Sequence, residues 1–429
     1  IVVGVGIFRI PGKVVEFISA PLLILCAWFV GGMISLCGAL CYGELAALFP
    51  ETGGNYVYLR ESYGSLLAFL FGWTETIALR PGAIAAVSFI AAEYFCSLLA
   101  LEATLVKIIG VGIIIFFSAV NVCGLRYGKA VQSYITIAKI TLLLIIIAIG
   151  FYFGSGSLRN VYYPLPEFRG DTLQGFLLAL IPILWAYGGW YENTFVAGET
   201  KNPRRTIPLT LVSGIVSVLF LYMVINCLYI WFFSVETMGT YTFVGARLLE
   251  VIGGTTGRAM LEVTVIIFSL AAINAMLITS SRIVYAVSQD QPLLGFMSKT
   301  SQRFGTPYRA VLVTSAIAIL LVVWGTFEAI LFFTGVLVWL FFGLVVTGLF
   351  ILRRKYSAVE RAYAVWGYPV TPALFIMVSF VLVINTFFSY PRESLIGIAI
   401  FASGIPVYYI LHRFLYGMKK GVTHDQETK

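Results

Sequence analysis

Gly4-Val5-Gly6-Ile7-Phe8 opens the chain inside an apolar segment, and Trp185-Ala186-Tyr187-Gly188-Gly189-Trp190 lies in a second such segment. Glycine costs roughly 1 kcal/mol relative to alanine in a helix interior. An unwound turn in a membrane is tolerated only where its peptide groups line a polar cavity or are buried in protein. We therefore predict that both helices are interrupted at these glycines, at corresponding places in two halves of the chain. That arrangement indicates the binding site of a secondary transporter.

The composition predicts a membrane protein. Of the 429 residues, 60% are hydrophobic and 11% are charged, whereas soluble domains have about 25% charged residues. Many apolar segments are long enough to cross a lipid bilayer as helices. We therefore predict one integral membrane domain over residues 1–429. The net charge is +8, and the basic residues lie between the apolar segments. This distribution argues against nucleic acid as a partner.

Cysteine and histidine offer little chemistry. The six cysteines fall within or at the ends of apolar segments, which favours packing over a disulfide framework. The two histidines, His412 and His424, lie near the C-terminal end, so we predict no metal site and no cofactor. The chain begins at Ile1 within an apolar segment, and we expect the natural N-terminus to precede it.

The hydropathy pattern predicts an all-α membrane protein of twelve transmembrane helices. Their predicted bounds are about 1–19, 21–49, 65–99, 105–124, 129–153, 172–197, 207–233, 258–288, 309–325, 327–352, 366–389 and 393–415. The first five (about 1–154) can be laid over the next five (about 172–353), since each set begins with a Gly-interrupted helix. An odd number of spans per set predicts a five-plus-five inverted repeat with discontinuous helices one and six. Helices eleven and twelve (about 366–416) fall outside it.

The distribution of positive charge predicts the orientation. Connections on one side carry only Lys13, Lys107, Arg159, Arg169, Arg247, Arg258 and Arg392. The other side carries seventeen lysines and arginines, including Arg60, Arg204 and Arg353. The positive-inside rule therefore predicts cytoplasmic N- and C-termini for a multi-pass protein of the cell membrane.

Unpaired peptide groups at the two breaks suit a zwitterion. The N–H groups at the start of the outer half of helix one would favour a carboxylate. The carbonyl groups around Val2 and Val3 would favour an ammonium group. Together they match an α-amino acid. The alternatives are that Gly4 and Gly6 only allow close helix packing, and that the aromatic residues around Gly188 form a packing stripe.

Several further motifs accompany the two breaks. They are Gly38-Ala39-Leu40-Cys41-Tyr42-Gly43-Glu44-Leu45, Gly53-Gly54-Asn55-Tyr56-Val57-Tyr58, Trp73-Thr74-Glu75 with Arg80-Pro81, Asn202-Pro203-Arg204, and Thr279-Ser280-Ser281-Arg282. With them, the chain resembles the amino acid–polyamine–organocation superfamily, and within it the L-type amino acid transporter branch. The resemblance runs through spans one to ten.

The resemblance implies roles for the matched positions. The N–H groups of Val5 and Gly6 would hold the substrate carboxylate. The carbonyls of Val2, Trp185 and Gly188 would receive the amino group, and Trp185 would be an aromatic gate on the outer side. The predicted substrate-binding set is Val2, Gly4, Val5, Gly6, Trp185, Ala186, Tyr187, Gly188 and Tyr191. The chain departs from the family pattern at two positions. Val5 stands where Ser is frequent in the family, and Tyr191 would narrow the pocket for the substrate side chain.

Lys139 is the most informative charge within a span. It lies about 16 Å along helix five from Gly128, at 1.5 Å per residue, and an ionisable group at that depth is a functional candidate by default. In sodium-coupled relatives a cation bridges helices one and eight. In the L-type branch a lysine in helix five replaces that cation, and Lys139 matches it. This implies sodium independence, while a structural lysine or a proton-coupling one, with Glu192 as a second coupler, remains open.

Other charges within spans are expected to pair structurally. They are Glu44, Glu75, Arg80, Glu93, Glu192, Glu262 and Arg282. Glu75 and Arg80 are five residues apart, so an α-helix would align them imperfectly. Arg9 follows the first break and would either favour an acidic substrate side chain or pair with a carboxylate.

The favoured function is sodium-independent exchange of neutral L-amino acids by alternating access, with no enzymatic activity. A proton-coupled amino acid permease is the nearest alternative. A channel or a non-transporting membrane sensor is the alternative from another class. Some family members bind a glycoprotein heavy chain through a disulfide, but the loop at about 98–106 contains no cysteine. We therefore predict no such partner.

Overall fold

The computed structural model describes residues 4–123, 128–162, 170–290, 297 and 307–427, with some helix residues in these ranges described by backbone only. Throughout these residues the ordered elements are helices, and none is a strand. This confirms the predicted all-α class. The α-helices are α1 (Gly6–Val14), α2 (Pro21–Leu48), α3 (Asn55–Tyr63), α4 (Ser65–Thr74), α5 (Arg80–Leu98), α6 (Val106–Val122), α7 (Gly128–Phe153), α8 (Arg159–Tyr162), α9 (Gly170–Ala186), α10 (Pro203–Phe232), α11 (Val235–Gly239), α12 (Val244–Asp290), α13 (Tyr308–Trp324), α14 (Phe327–Lys355), α15 (Val370–Ser389) and α16 (Pro391–Glu427).

Most of these helices have the dimensions of membrane spans. Within the described residues, nine helical segments are long and apolar enough to cross a bilayer, and two shorter apolar helices accompany them, Ile137–Phe153 and Tyr308–Trp324. The predicted number of twelve spans and the inverted repeat remain predictions. Residues 1–3 of the predicted helix one, which include Val2 and Val3, lie outside the described residues.

One predicted span contains a local change of helix type. α4 and α5 are joined without a loop by a π-helical turn, Glu75–Leu79. A π-turn closes hydrogen bonds from residue i to i+5, so residues five apart lie one above the other. Single π-turns occur frequently at functional sites, and this one faces the centre of the protein.

Another predicted span is replaced by two helical pieces. α9 ends at Ala186, and a short 3₁₀ helix, Trp190–Glu199, follows after Gly189 adopts φ +88°. That region of backbone space favours glycine because a Cβ is strained there. The chain then turns at Asn202, and Pro203 occupies the first turn of α10, a position where its missing N–H costs nothing.

The packing of the helices places both glycine stretches at the centre. α1 packs against α9 and α12, while α2 packs against α10, and α5 against α12. We call the end of the bundle where α2 finishes the Glu44 end. The opposite end of the bundle, where α1 ends and α2 begins, is called the Arg9 end. These names carry no assumption about which end faces the cytoplasm.

Candidate substrate site

The end of α9 opens its backbone toward the centre of the protein. The last ordinary helical bond there joins the Tyr187 N–H to the Ile183 carbonyl at 3.0 Å, and Gly188 N–H instead donates to the Trp185 carbonyl at 2.9 Å. A Cβ on Gly188 would lie 2.8 Å from the Trp185 oxygen, so the tight turn depends on glycine.

The start of α1 faces this open end. Gly4 is outside the helix, Gly6 is its first residue, and the Phe8 N–H bonds to the Val5 carbonyl at 3.1 Å. The first N–H groups of a helix have no partner within the helix and carry its positive dipole end. A Cβ on Gly6 would lie 3.0 Å from the Cβ of Ala186, so glycine allows the two breaks to touch.

A cavity of about 150 Å³ lies between the two breaks. Its peptide-rich wall contains residues that the sequence predicts for the substrate: Gly4, Val5, Gly6, Trp185, Ala186, Gly188 and Tyr191. The remaining wall comes from α5, α12 and α14, and includes Val87, Met276, Thr334, Trp339 and Phe342. Sequence reasoning did not select this second set, because apolar residues within apolar helices carry no distinguishing pattern. The arrangement can hold a small zwitterion by its charged ends, with apolar contacts around the rest.

Two predicted residues do not join this wall. The Tyr187 side chain is fully buried away from the cavity, where its hydroxyl donates to the Trp28 carbonyl at 3.1 Å. Val2 lies outside the described residues. Tyr191 does line the cavity, and its ring contacts Phe342 with 4.9 Å between centroids.

On the Arg9 end, the cavity is covered by four side chains that we call the Arg9 closure: Arg9, Glu93, Phe327 and Trp185. The Trp185 ring meets the Phe327 ring edge-on, with 5.8 Å between centroids. The Arg9 guanidinium lies 4.3 Å from the centre of the same Phe327 ring and forms an ion pair with Glu93. Of the two interpretations left open for Arg9, the structure shows pairing with a carboxylate.

Toward the Glu44 end lie four polar residues that we call the Glu192 cluster: Glu75, Arg80 and Glu192, which line the cavity, and Thr279, which contacts Arg80. Arg80 Nη2 lies 2.7 Å from Glu75 Oε1, and Arg80 Nη1 donates to Glu192 Oε1 at 2.8 Å. Arg80 also reaches Thr279 Oγ1 at 3.4 Å. The expectation of imperfect Glu75–Arg80 alignment is wrong, because the π-turn brings residues five apart into register.

Lys139 reaches α12 from α7. It is 4% exposed, its Nζ donates to the Phe268 carbonyl at 3.4 Å, and it lies 5.0 Å from the centre of the Phe268 ring. α12 corresponds to the predicted helix eight, so Lys139 contacts one of the two helices that the expected bridge would join. The partners expected from helix one, around Val2 and Val3, fall outside the described residues.

The other charged residues within spans are paired, as expected. Glu44 accepts hydrogen bonds from Arg353, Arg361 and the Val365 N–H. These donors are more than 300 residues away in sequence, so no local signal could have identified them. Glu262 accepts from Arg258 at 2.9 Å and from Ser97 at 2.6 Å. The side chain of Arg282 is outside the described residues.

Comparison with known proteins agrees with this geometry. Interrupted helices around a central cavity are typical of a solute carrier of the membrane. A model of the amino acid permease family matches residues 1–411, and the chain therefore belongs to that family of transporters. The predicted resemblance to the amino acid–polyamine–organocation superfamily and its L-type branch is thereby confirmed.

Three relatives illustrate the similarity. The chain is 28% identical over 425 residues to the serine/threonine exchanger SteT of Bacillus subtilis, covering 98% of this chain and 94% of that one. It is 27% identical over 432 residues to the b(0,+)-type amino acid transporter 1 of Mus musculus, covering 98% and 87%. It is 29% identical over 417 residues to the human cystine/glutamate transporter, covering 95% and 82%.

Proposed function

We propose that this protein exchanges neutral L-amino acids across the cell membrane by alternating access, without sodium. The observation that carries the proposal is the cavity between the first turn of α1 and the open end of α9. Peptide N–H groups on one wall and peptide carbonyls on the other suit the two charges that all α-amino acids share. Relatives described as amino acid exchangers and transporters support the same substrate class.

Each end of the substrate has a proposed partner. The N–H groups of Val5 and Gly6 bind the carboxylate, aided by the positive end of the α1 dipole. The carbonyls of Trp185 and Gly188, with that of Val2, receive the amino group. The Trp185 carbonyl already accepts from Gly188, but a carbonyl oxygen has a second lone pair. Gly4 and Ala186 form part of the cavity wall beside the substrate. Tyr187 supports this wall from behind through its hydrogen bond to the Trp28 carbonyl.

The transport cycle follows from what covers the cavity. Trp185 acts as the gate at the Arg9 end and leaves Phe327 when that end opens. α1 and α9 tilt together because Gly6 holds them in contact, and they move against the scaffold of α5, α6, α12 and α13. The Arg9 closure and the Glu192 cluster open in turn, so the substrate faces one side at a time.

The proposed orientation places the Glu44 end in the cytoplasm. α3, the start of α10 and the end of α14 lie there and carry Arg60, Arg204, Arg353 and Lys355 among other basic residues. By the positive-inside rule both termini are then cytoplasmic. We further propose twelve spans arranged as the two inverted repeats, and no disulfide-linked heavy chain.

Sodium independence rests on Lys139. Its ammonium group donates to a carbonyl of α12, so it occupies space that a bound cation would need. The test is uptake of radiolabelled amino acids into proteoliposomes, with and without sodium and with and without internal amino acid. We expect uptake that needs internal amino acid and ignores sodium, and loss of most uptake in Lys139→Ala. Uptake that requires sodium, or unchanged kinetics in Lys139→Ala, would contradict the proposal.

A proton-coupled permease is the second candidate, and one observation favours it. Glu192 Oε2 is buried without a hydrogen-bond partner among the described residues, so a proton could reside there or on Lys139. Under this candidate, a pH gradient drives accumulation in vesicles that contain no amino acid. Under exchange, the same gradient produces no accumulation.

A further inference from the structure

The Glu192 cluster has an unbalanced charge. Among the residues that the structure describes there, two carboxylates, Glu75 and Glu192, face one guanidinium, that of Arg80. Glu192 is 6% exposed, and one of its oxygens, Oε1, is held by Arg80. Its other oxygen, Oε2, is buried and has no hydrogen-bond partner within the described part of the chain. A buried acceptor without a partner costs free energy that a suitable donor would recover.

Glu192 also lines the cavity between the two breaks. The peptide groups at the breaks are suited to the parts that all α-amino acids share, so they leave the side chain unselected. Much of the surrounding wall is apolar, with Val87, Met276 and Leu331 as examples. A polar group on the substrate side chain therefore has few places to bond, and Glu192, which lines the cavity, has in Oε2 an acceptor without a partner among the described residues.

We propose that Glu192 determines substrate specificity by accepting a hydrogen bond from a donor on the substrate side chain. This inference rests on the proposed function and refines its substrate class: neutral amino acids whose side chain carries a hydroxyl are preferred, and a side-chain ammonium group that binds the same oxygen extends the class to cationic amino acids. Acidic side chains are rejected, because Arg80, the guanidinium that could attract them, is already held by two carboxylates. The excess negative charge repels a third carboxylate.

The test compares substrates that differ by one donor. The pairs are L-serine with L-alanine, and L-homoserine with L-2-aminobutyrate, with L-2,4-diaminobutyrate as the ammonium probe and L-aspartate as the acidic one. Each is added to the detergent-purified protein, and the shift in melting temperature gives its apparent affinity. Each also competes for uptake of the best radiolabelled substrate in proteoliposomes.

We expect the donor-bearing member of at least one pair to bind about tenfold more tightly, because hydrogen bonds to charged groups are the stronger ones. Glu192→Gln should reduce that ratio severalfold and allow L-aspartate to compete. Glu192→Asp keeps a charge for Arg80 while withdrawing the carboxylate by one methylene, so it should reduce the ratio in a folded protein. Glu262→Gln is the matched control, because Glu262 is a buried carboxylate bonded to Arg258 that does not line the cavity, and its ratio should stay as in the wild type.

Two results would overturn the inference. One is a wild-type protein that binds both members of each pair equally, and the other is a Glu192→Gln protein with an unchanged ratio. Binding without uptake of any amino acid would contradict the proposed transport and leave the specificity comparison readable from melting temperatures. Uptake with no preference for donors would contradict the specificity and leave the transport proposal standing.

Discussion

The Arg9 closure and the Glu192 cluster cover the same cavity from opposite ends by different physical means. In the Arg9 closure, aromatic rings meet edge-on, and the side chains of the ion pair retain partial exposure, Arg9 11% and Glu93 23%, although the two paired atoms are buried. In the Glu192 cluster, Arg80, Glu75 and Glu192 are 4–7% exposed, and Arg80 bonds directly to both carboxylates. The penalty for separating paired charges falls as their side chains become more exposed, so it should be smaller for the Arg9–Glu93 pair than for the Glu192 cluster.

The difference indicates that the two ends of the cavity have different roles. Rings can part at the Arg9 end without leaving a charge unpaired in a low-dielectric interior. Opening toward the Glu44 end must either move the Glu192 cluster as a unit or supply new partners for its charges. We therefore expect the Glu192 cluster to control stability and selectivity, and the Arg9 closure to control the rate of opening.

The largest expected effect is on stability, from removing the central cation of the Glu192 cluster. Arg80→Ala leaves two buried carboxylates facing each other, which costs about 3–5 kcal/mol by analogy with other buried pairs. Arg9→Ala should cost less, because the Glu93 side chain is 23% exposed and solvent can reach its carboxylate once Arg9 is removed. Melting temperatures in detergent would rank the two variants, and equal destabilisation would remove the basis of the comparison.

A second variant tests the contact between the breaks. Gly6→Ala places a Cβ 3.0 Å from the Ala186 Cβ and 3.4 Å from the Trp185 ring, and such overpacking costs typically about 1–3 kcal/mol. Uptake should fall by about tenfold or more. The matched control is Gly112→Ala in α6, where the new Cβ would meet nothing within 4 Å. Equal uptake by the two variants would contradict a central role for the breaks.

Substitution of the gate residue Trp185 is expected to have a smaller effect on uptake. Trp185→Ala removes the edge contact with Phe327 and one wall of the cavity, so the KM for uptake should rise about tenfold, a change of about 1.4 kcal/mol. Trp185→Phe retains an aromatic edge and should keep the KM within about twofold to threefold of wild type. If Trp185→Ala changes the maximal rate and leaves the KM alone, Trp185 gates without contacting substrate.

The smallest expected effect concerns the Arg9–Glu93 ion pair. Arg9→Gln and Glu93→Gln should each change the exchange rate by only about twofold to threefold, less than about 1.4 kcal/mol, because neither side chain lines the cavity. The double variant should resemble either single one if the two residues act as a pair. Fully additive changes in rate would show that they act separately.

Sequence reasoning recovered what depends on local pattern. The apolar segments predicted the bounds of α2, α13 and α14 to within a few residues. The glycines among aromatic residues predicted where α9 ends. It did not find the π-turn, because Glu75–Leu79 has no residue that distinguishes it from an α-helix. Nor could it assign partners to Arg9 or Glu44, since Glu93, Arg353 and Arg361 approach them only through packing of distant helices.

The π-turn has a consequence for how the wall of α5 evolved. Relative to a continuous α-helix it amounts to one additional residue, and one residue corresponds to about 100° of rotation. The wider π-turn absorbs that rotation, so deleting a single residue such as Ile77 would leave Glu75 and Arg80 four apart on an ordinary α-helix, still facing each other, with Ala83 and Val87 still on the cavity wall. A one-codon insertion absorbed at this turn in an ancestral helix would thus have left unchanged the face that the helix presents to the solute.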